Sequence, residues 1–256
     1  MTPRFRYAIL RQPSAQLIRG ITTANLGQPD YRTALRQHAA YAAALTACGL
    51  KVEVLPADED FPDAVFVEDV ALCTPSCAIV TNPGAPSRNG ERNLIAPLLK
   101  KYYEEISEIH SPGTLDAGDV MMVGTHFYVG LSDRTNGDGA KELISILKKH
   151  NMTGQLVPLM SVLHLKTGLS YLEHNNLLVC GEFVKDPIFA SFNCIEVDRD
   201  EAYAANSLWV NDRVFVPASC PKTAAKIVGL GYEVISLDVT EFEKIDGGLS
   251  CLSLRF

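Results

Sequence analysis

The chain has 256 residues, 47% of them hydrophobic and 21% charged, an ordinary globular composition with material for a large core. Its 30 acidic and 23 basic residues give a formal charge of −7, spread without long runs, so nucleic acid and anionic membranes are disfavoured as partners and a cationic small molecule fits better. No apolar run is long enough to span a bilayer and residues 1–7 show no leader-like stretch, so a cytoplasmic protein is expected.

Residues 6–10 read as a first strand. Residues 11–30 show no hydrophobic period, and a loop of that length reads as a lid. Residues 31–48 are Ala-rich with apolar positions three and four apart, a helix that Gly49 can cap, and residues 51–55 follow as a strand. Two apolar runs, 65–72 and 77–80, flank a short turn as a hairpin does. The signal returns at 119–123 with 126–129 around Gly124 and Thr125, at 169–172 with 176–179, and at 207–210 with 213–216 around Asn211 and Asp212. Helical patterns lie between them at 136–150, where Leu143, Ile144, Ile146 and Leu147 share a face, and at 222–230, which Gly231 stops before a strand at 232–237. An apolar segment, 248–254, comes last.

Four hairpins therefore begin near residues 65, 119, 169 and 207. The first strand has no partner upstream and the last segment none downstream. Pairing them completes a fifth hairpin and removes the exposed sheet edges. The expected fold is α/β: one catalytic domain over residues 1–256, a five-bladed α/β propeller closed by its N- and C-terminal strands.

In a ring of repeats, equivalent ends of the hairpins face one central cavity. Polar residues collect at those ends: Asp63, Glu68 and Asp69 at the first, Asp116 and Asp119 at the second, His164 and Lys166 at the third, and Asp246-Gly247-Gly248 ahead of Cys251 in the last segment. Singly, a strand cysteine is usually an inert buried thiol and carboxylates beside glycine usually make turns. Glu68 and Asp69 are the exception, because adjacent positions of a strand face opposite ways and one carboxylate must point inward. An inward carboxylate is costly without a partner, and a cationic ligand is one such partner. The seven cysteines are irregularly spaced, which argues against a disulfide framework, and Cys73 and Cys77 lack a second Cys/His pair at zinc-ligand spacing.

Phe61-Pro-Asp63, Phe66-Val-Glu-Asp69, Leu115-Asp-Ala-Gly-Asp119, Leu163-His-Leu-Lys-Thr-Gly168 and Asp246-Gly-Gly-Leu-Ser-Cys251 together resemble the dimethylarginine dimethylaminohydrolase family, in the family's order and across the whole chain. The resemblance implies the five-bladed propeller of the guanidino-group-modifying superfamily. It also implies a catalytic triad of Cys251, His164 and Asp116, with Glu68 and Asp69 near the guanidinium. Asp63, Arg88 and Arg134 match positions that hold the amino-acid end of the substrate, and the backbone near Ile21 and Ile245 closes over it. One departure stands out: close bacterial relatives carry Glu where this chain has Asp116, so a shorter side chain must reach His164.

The implied reaction converts asymmetric dimethylarginine and monomethylarginine to citrulline plus dimethylamine or methylamine, with no metal or organic cofactor. A cationic substrate favours the thiolate of Cys251, which attacks the guanidinium carbon. His164 protonates the departing amine and then activates water against a covalent S-alkylthiouronium, while Asp116 orients the imidazole. Partners are expected to be small molecules, with no nucleic acid or membrane and with a homodimer allowed. The rivals are an arginine deiminase, which releases ammonia, an amidinotransferase, and a propeller that only binds. Deiminases look similar here but carry Asp two residues after the catalytic His, where this chain has Lys166.

Cys251 alone among the seven cysteines follows a Gly-Gly pair. Cys251→Ser is therefore expected to abolish citrulline formation from dimethylarginine, while Cys73→Ser and Cys220→Ser keep most of it. Substantial turnover by the Cys251 variant would refute the assignment.

Overall fold

The computed structural model describes residues 4–256, so the reading of a leader-free N-terminus falls partly outside the described residues, at 1–3. Among the described residues the strands form five three-stranded sheets of one plan, an antiparallel hairpin with a third strand added in parallel. In the first blade Ala71–Cys73 and Ala78–Val80 make the hairpin and Ile106–Glu108 joins in parallel. The second pairs Val120–Val123, His126–Leu131 and Thr153–Pro158 in the same way. The third uses Leu169–Tyr171, Asn176–Val179 and Asn193–Glu196, and the fourth Leu208–Val210, Arg213–Pro217 and Glu233–Leu237. Asn211 and Asp212 both adopt positive φ, 49° and 75°, as a two-residue hairpin turn of matching twist requires.

The closing blade is made from both ends of the chain. Tyr7–Arg11 lies parallel to Lys51–Leu55 and antiparallel to Leu254–Arg255, with Ala8 opposite Arg255 and Ile9 opposite Leu254. This is the five-bladed propeller, closed by its terminal strands, that the repeats predict.

A parallel third strand needs a crossover. Tyr31–Ala47, Arg92–Leu99, Gly137–Lys149 and Pro221–Gly229 supply helices for it in the closing, first, second and fourth blades. The first of these starts at Asp30, whose carboxylate accepts the Thr33 N–H at 2.7 Å, and ends before Gly49 at φ 88°. Arg92–Leu99 escaped the periodicity because it is short and carries Pro97. The third blade has only the 3₁₀ turns Gly181–Phe183 and Pro187–Phe189 between its parallel strands. Among the described residues no helix is long and apolar enough to cross a membrane, and all seven cysteines are free thiols.

Two segments depart from the sequence reading. Residues 65–70 are not strand: Val67–Val70 is a 3₁₀ turn and both Glu68 and Asp69 are buried. A strand would have sent one carboxylate outward, whereas the turn lets both reach buried cations. Residues 248–253 are likewise a turn, with strand only at Leu254–Arg255. A Cβ at Gly247 would overlap the Phe66 ring, so the glycine there permits close approach of the two lead-ins.

The lid segment contains one 3₁₀ turn, Ala15–Arg19, capped by Ser14. Beyond it the chain is strapped down by side chains from other lead-ins. Asp63 accepts the Ile21 N–H at 3.0 Å, and Asp246 accepts the Thr23 N–H at 2.6 Å.

The turn that carries Cys251 is braced from outside by the helix Tyr31–Ala47. Tyr41 is fully buried against Phe215, and its hydroxyl lies 2.8 Å from the Leu249 carbonyl and 2.7 Å from Ser253 Oγ. The single hydroxyl proton goes to the Leu249 carbonyl and Ser253 donates to Tyr41, so removing that hydroxyl leaves one buried acceptor and one buried donor short of a partner. Tyr41→Phe is expected to lower the unfolding free energy by about 1–3 kcal/mol, read as a shift in urea midpoint at constant slope. An unchanged midpoint would show that the brace carries no stability.

Candidate active site

The lead-ins of all five blades meet at the centre of the ring, where buried carboxylates are matched to cations and backbone donors. Asp69 Oδ2 is 2.6 Å from Arg88 Nη1, and Asp69 Oδ1 accepts the Gly118 N–H at 3.1 Å. Gly118 must lack a side chain, because a Cβ there would lie 2.7 Å from Asp69 Oδ1 and 2.9 Å from His164 Nδ1. Glu68 Oε1 is 2.7 Å from Lys166 Nζ and 3.1 Å from Arg255 Nη2, while Oε2 accepts from Ser250 Oγ at 2.7 Å. Glu68 and Asp69 thus find partners within the protein itself, in Lys166, Arg255 and Arg88.

Asp116 is fully buried behind His164, with Oδ2 at 3.1 Å from His164 Nε2 and Oδ1 accepting the Gly84 N–H at 2.9 Å. The shorter aspartate therefore reaches the imidazole, and Nδ1 is the ring nitrogen left for other chemistry. The His164 loop is held to the second blade by Asp119, whose Oδ1 accepts the Leu165 N–H at 2.9 Å. The other oxygen of Asp119 takes Ser132 Oγ and Thr135 Oγ1, each at 2.6 Å. Cys251 Sγ receives the Gly248 N–H at 3.4 Å.

These neighbours set the ionisation of the pair. Burial pushes the Cys251 thiol up to about 12, and the charges of Glu68 and Asp69 push in the same direction. Burial alone would lower the His164 pKa, but Asp69, the Asp116 hydrogen bond and Asp119 outweigh it and raise the value to about 9. At neutral pH the site therefore holds a neutral thiol beside an imidazolium. Asp116 itself is held below the usual carboxylate range, because His164 and Arg88 offset its burial.

Two lobes of one cavity meet at Cys251 and His164. The narrow one, about 30 Å³, is lined by Ile21, Asp63, Asp69, Arg88, Arg134 and Ile245. The wide one, about 430 Å³, extends the other way past Glu68 and Lys166 toward Val162, Ala202 and Glu243. The structure thus brings nine of the ten expected residues to the cavity wall, with Asp116 behind it. The two arginines differ. Arg88 is buried and spends its donors on Glu91, Asp69 and the carbonyls of Asp63 and Phe66, which leaves one Nη1 N–H uncommitted. The Arg134 guanidinium has no acceptor among the described residues.

Comparison with known proteins bears directly on this site. The chain is 54% identical over 253 residues to the N(G),N(G)-dimethylarginine dimethylaminohydrolase of Pseudomonas aeruginosa, covering 98% of this chain and 100% of that one. The chain belongs to the dimethylarginine dimethylaminohydrolase family. Residues 28–253 match the family described as N,N dimethylarginine dimethylhydrolase, eukaryotic, and the Streptomyces coelicolor dimethylarginine dimethylaminohydrolase is 35% identical over 97% of this chain and 96% of its own. A solved structure of the Pseudomonas enzyme, a cysteine-to-serine mutant complexed with citrulline, superposes with a TM-score of 0.98 over 99% of this chain and 100% of that one. A further solved structure, of a dimethylarginine dimethylaminohydrolase histidine-to-glycine variant as its adduct with S-methyl-L-thiocitrulline, has a TM-score of 0.97 and is 54% identical over 98% of this chain and 100% of that one.

Within this dimethylarginine dimethylaminohydrolase fold, Asn206 is the residue that the sequence reading left out. Its amide donates to the Lys166 carbonyl at 2.8 Å and to Ser250 Oγ at 2.9 Å, and its oxygen accepts the Ser250 N–H at 2.9 Å. It stands just ahead of the fourth hairpin, the one lead-in to which no functional residue was assigned. The repeat itself was the signal that could have found it. Asp69, Asp116 and His164 also bring ligand atoms within 4.8 Å of one another, as a metal site does. All four carboxylate oxygens already face donors, and the Arg88 charge adjoins them, so the trio is built for proton and cation chemistry.

If the imidazolium must release a proton to the departing amine, kcat is expected to fall as pH rises through about 9. Asp116 raises the His164 pKa, so Asp116→Asn is expected to move that alkaline limb down by about one pH unit, 1.36 kcal/mol of lost interaction. A kcat–pH profile with an unmoved limb would rule out His164 as the titrating acid.

Proposed function

We propose that this chain hydrolyses asymmetric dimethylarginine and monomethylarginine to citrulline, releasing dimethylamine or methylamine. The observation that carries the reading is the His164–Asp116 pair set beside Cys251 where the two lobes meet. The family membership supports it, as does citrulline in the Pseudomonas enzyme's structure.

In this mechanism the amino-acid end of the substrate occupies the narrow lobe. Arg134, with its free guanidinium, takes the carboxylate, helped by the spare N–H of Arg88. Asp63 takes the amino group, and the backbone at Ile21 and Ile245 covers it. The guanidinium lies against Asp69, next to Cys251. Its positive charge reverses the local balance that keeps the thiol neutral, and the thiol gives its proton to solvent water as the cation enters. Thiolate attack forms the C–S bond and a tetrahedral adduct. His164 donates its proton to the substituted nitrogen, the C–N bond breaks, and the amine departs. The neutral imidazole then takes a proton from water, hydroxide adds to the S-alkylthiouronium carbon, and the C–S bond breaks to give citrulline. The same reading places the enzyme in the cytoplasm, where reducing conditions keep Cys251 a thiol, and allows a homodimer.

Lys166 decides between methylated and plain arginine. A deiminase has a carboxylate at this point to grip the second terminal nitrogen. Here the position carries a cation tied to Glu68 at 2.7 Å, so one nitrogen is left free to bear methyl groups. Asymmetric dimethylarginine and monomethylarginine are expected to exceed arginine in kcat/KM at least about tenfold, roughly 1.4 kcal/mol. Symmetric dimethylarginine is expected to fail, since it blocks the gripped nitrogen as well. Citrulline assays on the four substrates test this, and equal efficiency with arginine would return the enzyme to the deiminase class.

A further inference from the structure

We propose that the wide lobe is a leaving-amine pocket that admits N-substituents far larger than methyl, with preference for an aliphatic chain ending in a primary ammonium. The proposal rests on the hydrolytic reading above and extends its substrate class to Nω-(aminoalkyl)arginines.

Size is the first argument. Dimethylamine has three heavy atoms, which need on the order of 90 Å³ if each takes about the 30 Å³ share of a liquid water. The wide lobe is about 430 Å³, and it opens from Cys251 and His164, where the bond to the amine breaks. The amino-acid recognition groups Asp63, Arg88 and Arg134 all line the other lobe, so this space is not needed for the constant part of the substrate.

The chemistry of the walls is the second argument. Leu26, Val162 and Ala202 give the lobe apolar sides suited to methylenes. Glu243 stands on the same wall, half-buried, with no hydrogen-bond or ion-pair partner for its carboxylate among the described residues. Burial raises its pKa, as it does for a carboxylate that lacks a cation. The nearby lysines are committed elsewhere, Lys166 to Glu68 and Lys244 to Glu241, each at 2.7 Å. An ammonium at the end of a short chain supplies the missing counter-charge.

The reaction balances without any new reagent. The substituted guanidinium and one water give citrulline and one alkylammonium. His164 protonates the departing nitrogen and recovers a proton from water, and the distal ammonium is a spectator.

The test uses two isosteric substrates, Nω-(4-aminobutyl)-L-arginine and Nω-pentyl-L-arginine, with asymmetric dimethylarginine as internal reference. Citrulline and the released amine are both quantified. Both long substrates are expected within about tenfold of dimethylarginine in kcat/KM, and the aminobutyl compound is expected to exceed the pentyl at least about fivefold, as a half-buried charge pair allows. Glu243→Gln is expected to erase that fivefold ratio, with dimethylarginine turnover reporting that the variant is folded. Dimethylarginine turned over while both long substrates fail, even if they inhibit, would overturn this inference and leave the hydrolytic reading standing. An aminobutyl-to-pentyl ratio unchanged by Glu243→Gln would overturn the role of Glu243. Failure of dimethylarginine itself would instead overturn the hydrolytic reading.

Discussion

The centre of this protein depends on one constraint: several carboxylates are buried together, and each must find a positive charge or a donor. An unpaired buried carboxylate costs several kcal/mol, so the pairing dictates where the backbone can go. Arg88 bridges Asp69 and Glu91, Lys166 and Arg255 share Glu68, and Asp116 faces His164. The contacts of Lys166, Arg255 and Asp116 each join two blades. Asp69 of the first reaches Gly118 of the second, Asp116 of the second reaches His164 of the third, and Lys166 of the third reaches back to Glu68. Asn206 of the fourth then ties the Lys166 carbonyl to Ser250 of the closing blade. The lead-ins are thus stitched into a ring of polar contacts inside the ring of sheets.

That stitching separates what could be read in the sequence from what could not. Hairpins such as Leu208–Val210 with Arg213–Pro217 announce themselves through β-branched and aromatic runs around Asn211 and Asp212, because strand and turn preferences are local. Residues 65–70 and 248–253 carry the same apolar content, yet they fold as turns because their conformation answers to distant charges. Periodicity registers Val67 and Leu249, and it is blind to the cation that Glu68 must reach. Cys251, His164 and Asp116 were legible from the order of their motifs. Asn206 was not, since an asparagine ahead of a strand reads as turn chemistry until its partners some forty residues away are seen. The commitment of Arg88 to Glu91 was likewise hidden, because both belong to an irregular 3₁₀ segment, Pro86–Glu91.

The same carboxylates act on both His164 and Cys251, with opposite results for their charge. Asp69 raises the His164 pKa and also the Cys251 pKa, so the imidazole rests charged while the thiol rests neutral. A neutral molecule entering the pocket does not change this balance. A cation does, because it compensates the negative field that holds the thiol proton. A cation in the cavity therefore acts on the ionisation of Cys251 as well as on the carboxylates it faces.

The closing blade has a consequence for how the site comes into being. Ile9 finds its antiparallel partner Leu254 only across almost the entire described chain, and the turn bearing Cys251 immediately precedes that partner. During synthesis the other four blades emerge with all their strands in sequence, while Tyr7–Arg11 waits with one edge unpaired. Contacts of such long sequence separation form late, because the chain between them must be ordered first. The turn bearing Cys251 is consequently the last element added to a nearly complete ring. A ribosome-bound fragment, however well folded its finished blades, holds the imidazole and its aspartate without a thiol for them to serve.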